Sequence, residues 1–240
     1  MVYQRFYRVL RRSANRIMAG HACAFCQQDC AIYAASTICS SCREALIRQG
    51  YYCYQCGYTL TSNSVQFCGA CLKKPKQYQR LIAACDYEFP VDKAISEIKF
   101  NRQWHLARAL SYLLLEKITQ AYQDSSAPDL LIPIPLHRKR LSERGFNQAE
   151  LIAKRLAKRL QLPMDNKSLI RIKNTPHQIG LKAAQRRKNL KGAFVAQSNL
   201  PTHIALIDDV VTTSSTISEA TKACLTQGAE QVDIWCLAKT

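Results

Sequence analysis

Residues 204–216 read Ile-Ala-Leu-Ile-Asp-Asp-Val-Val-Thr-Thr-Ser-Ser-Thr, and this stretch decides the fold. A short apolar run of this kind predicts a strand buried in a parallel sheet. The apolar spacing from Ile217 to Gln227 predicts a helix directly after the five hydroxyl residues. Strand, loop and helix together indicate a βαβ unit of an α/β fold, in which ligands bind beyond the carboxyl ends of the strands.

The loop between this strand and helix carries the groups that suit a sugar phosphate. Five consecutive hydroxyl side chains, with successive backbone N–H groups at a helix start, favour a phosphate. These residues are Thr212, Thr213, Ser214, Ser215 and Thr216. Asp208 and Asp209 repel a phosphate, so we expect them to accept hydrogen bonds from sugar hydroxyls or to help hold a hydrated divalent cation. A surface loop with a helix N-cap is the plainer alternative.

A cysteine-rich segment precedes the α/β pattern, and eight of its cysteines form four Cys-x-x-Cys pairs. Shifting the first two pairs by 30 and 29 residues places them on the last two, which indicates an internal duplication. Each repeat has the spacing of a zinc ribbon, so the sequence predicts two structural Zn²⁺ sites. The ligand sets are Cys23, Cys26, Cys39 and Cys42, and Cys53, Cys56, Cys68 and Cys71. A cross-braced order of the same ligands is an alternative, and Cys30 stands off-register as a free thiol.

The chain has a formal net charge of +17, and the positive charge is concentrated in two regions. Residues 130–192 hold 16 Lys or Arg against three acids, and residues 1–80 hold 11 against two. Such clusters attract polyanions, here pyrophosphate in a cleft or nucleic acid along a face. A solvated basic surface is the alternative.

Composition divides the chain into three parts. Residues 1–20 carry five arginines and no acid, and they predict a basic N-terminal helix, with a partly frayed N-terminus as the alternative. Residues 21–76 form the double zinc-ribbon module, and residues 77–240 form the larger α/β domain. No apolar run approaches the roughly 18 residues of a membrane span, and no continuous apolar region marks a secretory signal. We therefore expect no membrane span and a location in the reducing cytoplasm.

Apolar periodicity predicts the other elements of the larger domain. The predicted helices cover Val91 to Phe100, Trp104 to Tyr122 and Gln148 to Leu160. The predicted strands cover Leu81 to Tyr87, part of Leu130 to Pro135, Ala193 to Ala196 and Gln231 to Ala238. We expect these strands and the strand at residue 204 to form one sheet flanked by the helices.

The motif Asp-Asp-x-x-Thr-Thr-Ser-x-Thr, from Asp208 to Thr216, resembles the 5-phosphoribosyl 1-pyrophosphate (PRPP) motif of type I phosphoribosyltransferases. The resemblance implies a type I phosphoribosyltransferase-like parallel sheet that binds PRPP together with Mg²⁺. It also implies that Asp208 and Asp209 contact the ribose 2′ and 3′ hydroxyls and that residues 212–216 hold the 5-phosphate. Ser214 stands where that family usually has glycine, which tolerates positive φ and close backbone approach to a ligand.

Two further segments are similar to the ComF/GntX family: Pro-Ile-Pro-Leu at residues 133–136 and Arg-Gly-Phe-Asn-Gln at residues 144–148. With the cysteine module and the Asp-Asp loop, the similarity runs from Cys23 to Lys239. It implies a role in taking up or using external DNA in natural transformation. It also implies single-stranded DNA and a DNA-translocating helicase as partners.

The strand predicted within residues 130–135 leads into clustered Arg and Lys, which predicts a pyrophosphate-binding loop, because Arg binds phosphate oxygens bidentately. The candidates for binding or catalysis are Arg138, Lys139, Arg144 and Arg186. A later segment resembles by position the mobile loop that closes over PRPP in the amidophosphoribosyltransferase-like branch. Its matching residues are Thr175, Gln178, Arg186 and Asn189. Lys99 and Arg102 either reach the ligand or are solvated charges.

Two hypotheses about function follow from these patterns. An enzyme would transfer ribose 5-phosphate from PRPP to a nucleophile, although no acceptor pocket and no catalytic residue is identified in the sequence. A non-catalytic protein would handle single-stranded DNA or act as an adaptor, and would use the same loop as a sensor of a ligand or a phosphate.

Overall fold

The structure is a computed structural model, and it describes residues 22–29, 37–174, 189–197 and 199–240. The predicted N-terminal helix at residues 1–20 lies outside the described residues. So do Cys30 and three of the four predicted mobile-loop positions, Thr175, Gln178 and Arg186.

The helices and strands follow the predicted order. The cysteine-rich part contains α1 (Ser40–Leu46), β1 (Tyr51–Tyr52), β2 (Thr59–Leu60) and α2 (Gly69–Lys73). The α/β part contains β3 (Arg80–Asp86), α3 (Val91–Asn101), α4 (Trp104–Ala121), β4 (Leu130–Pro133), α5 (Arg138–Arg144), α6 (Gln148–Leu160), β5 (Leu169–Arg171), β6 (Phe194–Ala196), β7 (His203–Val211), α7 (Ser215–Leu225) and β8 (Gln231–Lys239). Among the described helices, none is both long enough and apolar enough to cross a membrane.

Four parallel strands form the central sheet, in the order β3-β8-β7-β4. Because side chains alternate along a strand, each strand supplies both faces of the sheet. On β7, Ala205 and Ile207 pack into the core formed with α3, α4 and α6, whereas Ile204 and Leu206 pack into the core formed with α7. The sequence prediction of an α/β fold with a parallel sheet flanked by helices is confirmed.

The prediction that residues 193–196 belong to this sheet is wrong. Strand β6 pairs antiparallel with β5 in a separate two-stranded sheet. The side chains show why: Phe194 and Ala196 are buried, but Val195 between them is 42% exposed. Such alternation suits an antiparallel strand with one covered face, whereas the central strand β8 is buried on both faces.

The cysteine-rich part docks on the edge strand β3. The Arg48 backbone N–H donates to the Ala84 carbonyl at 2.8 Å, and the Leu81 N–H donates to the Tyr54 carbonyl at 3.0 Å. The buried Arg48 side chain donates to the Asp86 carboxylate at 2.8 Å. These bonds cover N–H and C=O groups that a bare sheet edge would expose to other chains.

The amino ends of the strands are closed by a buried charge network. Asp233, which has no exposed surface, accepts from Arg80 Nε at 3.1 Å, and its carboxylate lies 2.9 Å from His203 Nε2. The Tyr122 hydroxyl on α4's C-cap donates to the same carboxylate oxygen. With this end filled by protein groups, the carboxyl ends of the strands are the ones open to a ligand.

Candidate functional site

A cavity of about 390 Å³ opens at the carboxyl ends of β3, β4 and β7, where an α/β sheet places its ligands. We call it the main cavity. Its charged lining residues are Lys99, Arg140, Arg144, Arg171, Asp208 and Asp209. Thr212 and Thr216 of the hydroxyl loop line the same space. The structure therefore brings together both predicted acids, two of the five predicted hydroxyl residues and the predicted cation Arg144. Thr213, Ser214 and Ser215 are not among the lining residues.

Asp208 and Asp209 lie within β7, near its carboxyl end. The sequence had predicted that they follow the strand. The Asp209 N–H donates to Asp208 Oδ1 at 2.9 Å, and Lys99 forms an ion pair with Asp209. Burial, and then the charge of Asp209, raise the pKa of Asp208 well above its usual range. Burial alone would lower the pKa of Lys99, but the two carboxylates outweigh it and raise that pKa. The pair is thus a compact acceptor site that already holds one cation.

The hydroxyl loop turns through Ser214, whose φ of +59° and ψ of 7° lie in the left-handed region. Helix α7 begins immediately afterwards, and the Ser218 N–H donates to the Ser214 carbonyl at 2.8 Å. The N–H groups of the first helical turn have no partners within the helix and suit an anion. Glycine adopts this left-handed conformation without a side-chain penalty, and in this chain a serine adopts it.

Replacing Ser214 by glycine is expected to raise the free energy of unfolding by up to about 1 kcal/mol, because glycine has no side-chain penalty in the left-handed region. Urea unfolding measures this change. The matched control is Gln161→Gly, since Gln161 ends α6 at a φ of +56° and lies outside the main cavity. Both variants should gain stability. A loss of stability in Ser214→Gly alone would contradict a strained serine turn.

The basic residues after β4 form the helix α5, not the loop that the sequence suggested. Arg140 and Arg144, one helical turn apart, share a face and line the main cavity. Arg138 and Lys139 are exposed and are not among its lining residues. Of the predicted cations on this helix, Arg144 reaches the cavity, whereas Arg140 was not predicted from the sequence.

Arg144 and Arg171 line the main cavity and are partly or largely buried. Arg144 Nη1 donates to Gln148 Oε1 at 2.9 Å, and Arg171 at the end of β5 is only 8% exposed. Burial lowers the pKa of both guanidinium groups, and the nearby charge of Arg140 lowers both further. A bound anion would reverse that electrostatic effect. Sequence reasoning missed Arg171, because only the fold brings the short strand β5 to this site.

The eight predicted metal-binding cysteines form two groups, within each of which all sulfur atoms lie within 4.8 Å of one another. Cys26 and Cys39 Sγ are 3.8 Å apart, and Cys56 and Cys68 Sγ are 3.6 Å apart. Tetrahedral coordination with Zn–S bonds of about 2.3 Å separates ligand sulfurs by roughly 3.8 Å. The donor sets therefore fit a zinc ion. The grouping is sequential, with the first two pairs together and the last two together, and not cross-braced.

The two groups repeat the same backbone geometry. The Cys39 N–H donates to Cys23 Sγ at 3.4 Å, and the Cys68 N–H donates to Cys53 Sγ at 3.3 Å. The side-chain hydrogen bond from Cys42, the largest contribution, lowers the pKa of Cys23 to about 4, and that bond raises the pKa of Cys42. Four thiols this close ionise together only with a cation among them. The repeated hydrogen bonds support the internal duplication.

Comparison with known proteins finds relatives that match over almost their whole length. The chain is 39% identical over 208 residues to the DNA utilization protein YhgH of Escherichia coli O157:H7, a match that covers 85% of this chain and 90% of that relative. It is 35% identical over 223 residues to competence protein F of Haemophilus influenzae, covering 90% of this chain and 96% of that relative. The chain belongs to the ComF family. This confirms the family resemblance found in the sequence.

A more distant relative and a solved structure also align with the chain. The ComF-family relative ComFC of Bacillus subtilis is 28% identical over 200 residues, covering 80% of this chain and 79% of that protein. No protein-family model matches the chain. Among solved structures, a purine phosphoribosyltransferase from Pyrococcus horikoshii OT3 aligns with a TM-score of 0.35 and 18% identity, covering 55% of this chain and 72% of that one. A structural likeness at this level identifies no ligand.

Of the predicted mobile-loop residues, only Asn189 is among the described residues. It is half-buried and does not line the main cavity. Lys99, for which two interpretations were open, lines the main cavity and pairs with Asp209. Arg102 is exposed and lies beside a neighbouring cavity.

Proposed function

We propose that this ComF-family chain binds PRPP with Mg²⁺ in the main cavity. The observation that carries the proposal is the placement of twin carboxylates, a hydroxyl-lined helix start and arginines around one cavity. Acids alone would favour a cation, and cations alone would favour any anion. Their combination suits a ligand that has both a diol and phosphates.

Each part of PRPP has a counterpart in the main cavity. The 5-phosphate would lie in the loop of residues 212–216, where α7 begins. The ribose hydroxyls would donate to Asp208 and Asp209, and Lys99 forms an ion pair with Asp209. The pyrophosphate would face Arg140 and Arg144, whose fork geometry suits phosphate oxygens.

Mg²⁺ fits the same residues, because it prefers carboxylate oxygens and keeps several of its waters. Asp208 and Asp209 are the residues that would hold it, through its hydration shell. When bound, Mg²⁺ would neutralise charge on the pyrophosphate oxygens.

The first activity to test is transfer of ribose 5-phosphate from PRPP to a nucleophile, with pyrophosphate leaving. The residues of the main cavity would position PRPP and stabilise the departing pyrophosphate. The alternative is a non-catalytic adaptor that binds PRPP as a sensor. Isotope-traced turnover of PRPP with a panel of bases, amines and oligonucleotides separates these: labelled product supports a transferase, and binding without product supports the sensor.

Replacing Arg140 and Arg144 together by alanine is expected to weaken PRPP binding by tenfold or more. Each charge-assisted hydrogen bond contributes about 1.5–3 kcal/mol, and about 1.4 kcal/mol is a factor of ten. Calorimetric titration of PRPP in the presence of Mg²⁺ measures the change.

The matched control is Arg138→Ala with Lys139→Ala. It removes the same charge from the same helix, but at exposed positions outside the main cavity. Its PRPP affinity should stay close to that of the parent. Equal losses in both double variants would mean that general charge, and not the cavity, attracts the ligand.

A role in the uptake or use of external DNA is the second part of the proposal. Two relatives carry the names DNA utilization protein and competence protein F. A groove of about 150 Å³ between α4 and α6 offers a surface for a phosphate backbone, because its charged lining residues are all cations. They are Arg108, Arg155, Lys158 and Arg159. Single-stranded DNA is the proposed ligand, and a DNA-translocating helicase in the cytoplasm is the proposed partner.

Affinity for single-stranded DNA is expected to fall steeply with salt, because each phosphate contact releases about one counterion. Fluorescence anisotropy of a labelled oligodeoxythymidine, titrated from 50 to 200 mM salt (about the range over which such complexes weaken), measures the slope. Lys158→Ala with Arg159→Ala should reduce the slope by about 1–2. No binding by the parent even at low salt would contradict the DNA role.

The two cysteine groups are proposed to hold structural Zn²⁺, one ion in each. The module has two-residue strands and short helices, so metal ligation would supply much of its folding free energy.

A further inference from the structure

A second cavity, of about 290 Å³, adjoins the main cavity, and we call it the side cavity. It is lined by Lys99, Phe100, Arg102, Arg140, Glu143, Arg144 and Phe146. Lys99, Phe100, Arg140 and Arg144 also line the main cavity. A ligand in the side cavity would therefore lie directly beside a ligand in the main one.

Phe100 is an unusual lining residue of the side cavity, because this large apolar residue is 67% exposed. Helix α3 buries Val91, Ala94, Ile95 and Ile98, and Phe100 in its last turn lies off that apolar stripe. One face of the ring meets the Arg144 guanidinium, with 5.5 Å from Cζ to the ring centroid. An exposed aromatic ring beside arginines is a surface on which a planar base stacks.

Arg102 and Phe146 form further parts of the wall of the side cavity. Arg102 ends α3 with a φ of +54°, and its Nη2 lies 3.1 Å from where a Cβ on Gly145 would be. Gly145, at a φ of +80°, therefore leaves room for the Arg102 guanidinium. Phe146 packs edge-on against Trp104, with ring centroids 4.7 Å apart. The contact with Trp104 orders the Phe146 ring before any ligand arrives.

The chemistry of the side cavity selects the class of its ligand. A planar aromatic group stacks on Phe100, and an anionic group pairs with Arg102 and Arg140. Glu143 is the carboxylate among the lining residues, and it accepts hydrogen bonds from N–H groups of a base. Ammonia or an aliphatic amine would use neither the ring nor the cations. A nucleotide would contact the ring of Phe100, the arginines and Glu143.

We propose that the side cavity binds a nucleotide, with its base on Phe100 and its phosphate at Arg102, directly beside PRPP in the main cavity. The inference rests on the proposed function, and it names the class of the second ligand. The nucleotide comes either as a free nucleoside monophosphate or as the 5′-phosphorylated end of single-stranded DNA. Both sources present the same base and phosphate.

Calorimetry on the full chain with its zinc tests the inference. The probes are adenosine 5′-monophosphate, thymidine 5′-monophosphate and a 5′-phosphorylated oligodeoxythymidine, each titrated with and without saturating PRPP and Mg²⁺. The parent should bind at least one of them. Phe100→Ala should weaken that binding by tenfold or more, and Phe100→Trp, which keeps a stacking surface, should bind within about threefold of the parent. Binding of a mononucleotide identifies a free nucleotide as the source, and binding of the oligonucleotide alone identifies a strand end.

The matched control is Tyr58→Ala, which removes a ring that is 66% exposed but lies in the cysteine module. It should bind the mononucleotides as the parent does. The inference is overturned if the parent binds none of the three probes, if Phe100→Ala binds them as the parent does, or if Phe100→Ala loses PRPP to the same extent. If the parent binds a nucleotide through Phe100 but no PRPP, the proposed function fails and the nucleotide site stands.

Discussion

Chelation of metal from the two cysteine groups is expected to unfold the cysteine-rich part and to lower the midpoint of thermal unfolding by about 10 °C or more. Structural Zn²⁺ sites contribute roughly 10–16 kcal/mol of apparent binding free energy in small zinc-finger peptides. For a chain of this size, about 1 kcal/mol shifts the midpoint by roughly 2–4 °C. Differential scanning calorimetry before and after a strong chelator measures the effect.

The effect should extend beyond the ribbons, because the cysteine-rich part covers β3. Its unfolding would break the backbone bonds from Arg48 to Ala84 and from Leu81 to Tyr54, and would leave the sheet edge bare. We therefore expect the chelated protein to aggregate as well as to melt earlier. Light scattering during the same temperature scan detects this.

Single-ribbon variants locate the metal. Elemental analysis should find two zinc ions per parent chain, and one in Cys26→Ser with Cys39→Ser or in Cys56→Ser with Cys68→Ser. Cys30→Ser, outside both cysteine groups of the sequence pattern, should keep both ions. A parent that contains no zinc and melts at the same temperature with chelator would contradict the structural zinc sites.

The second large effect is expected from Asp208→Asn with Asp209→Asn, which should weaken PRPP binding by roughly 100-fold or more. Both substitutions keep the side-chain shape but remove carboxylate oxygens that would accept from the ribose hydroxyls. Two hydrogen bonds to charged groups contribute about 3–6 kcal/mol together, and about 2.7 kcal/mol is already 100-fold. The Lys99 ammonium would also lose its partner and remain as an unpaired charge near the ligand.

The matched control is Asp124→Asn with Glu230→Gln, which removes two exposed acids outside the main cavity. It should bind PRPP as the parent does. The Asp208 and Asp209 double variant should keep its two zinc ions, because neither residue belongs to the two cysteine groups. If it binds PRPP as tightly as the parent, the assignment of the Asp-Asp loop is wrong.

The features that sequence reasoning predicted well are those set by local pattern. Helix α6 covers residues 148–160, as its apolar spacing predicted, with Asn147 as the cap that accepts from the Ala149 N–H. The apolar strand and the helix after the hydroxyl residues were also predicted, because each depends on adjacent residues, although the strand continues through the two acids. The register of the cysteine pairs likewise predicted both sulfur groups.

The features that it missed depend on distant partners. Residues 194–196 have strand character, but only pairing with β5 decides which sheet they join. Arg138 and Arg140 look equivalent in the sequence, and the helical periodicity of α5 sends only Arg140 with Arg144 to the main cavity. Arg171 enters the site through the fold alone. The side cavity likewise depends on the fold, which places Arg102 at the end of α3 beside Gly145.

The most direct test of the PRPP site is a crystal structure of the chain grown with PRPP and Mg²⁺. The site described here predicts the 5-phosphate against the N–H groups of residues 214–217 and the ribose hydroxyls within hydrogen-bond distance of Asp208 and Asp209. It also predicts the pyrophosphate between Arg140 and Arg144. Density for PRPP elsewhere, or a main cavity that stays empty of it at saturating concentration, would contradict the proposed site.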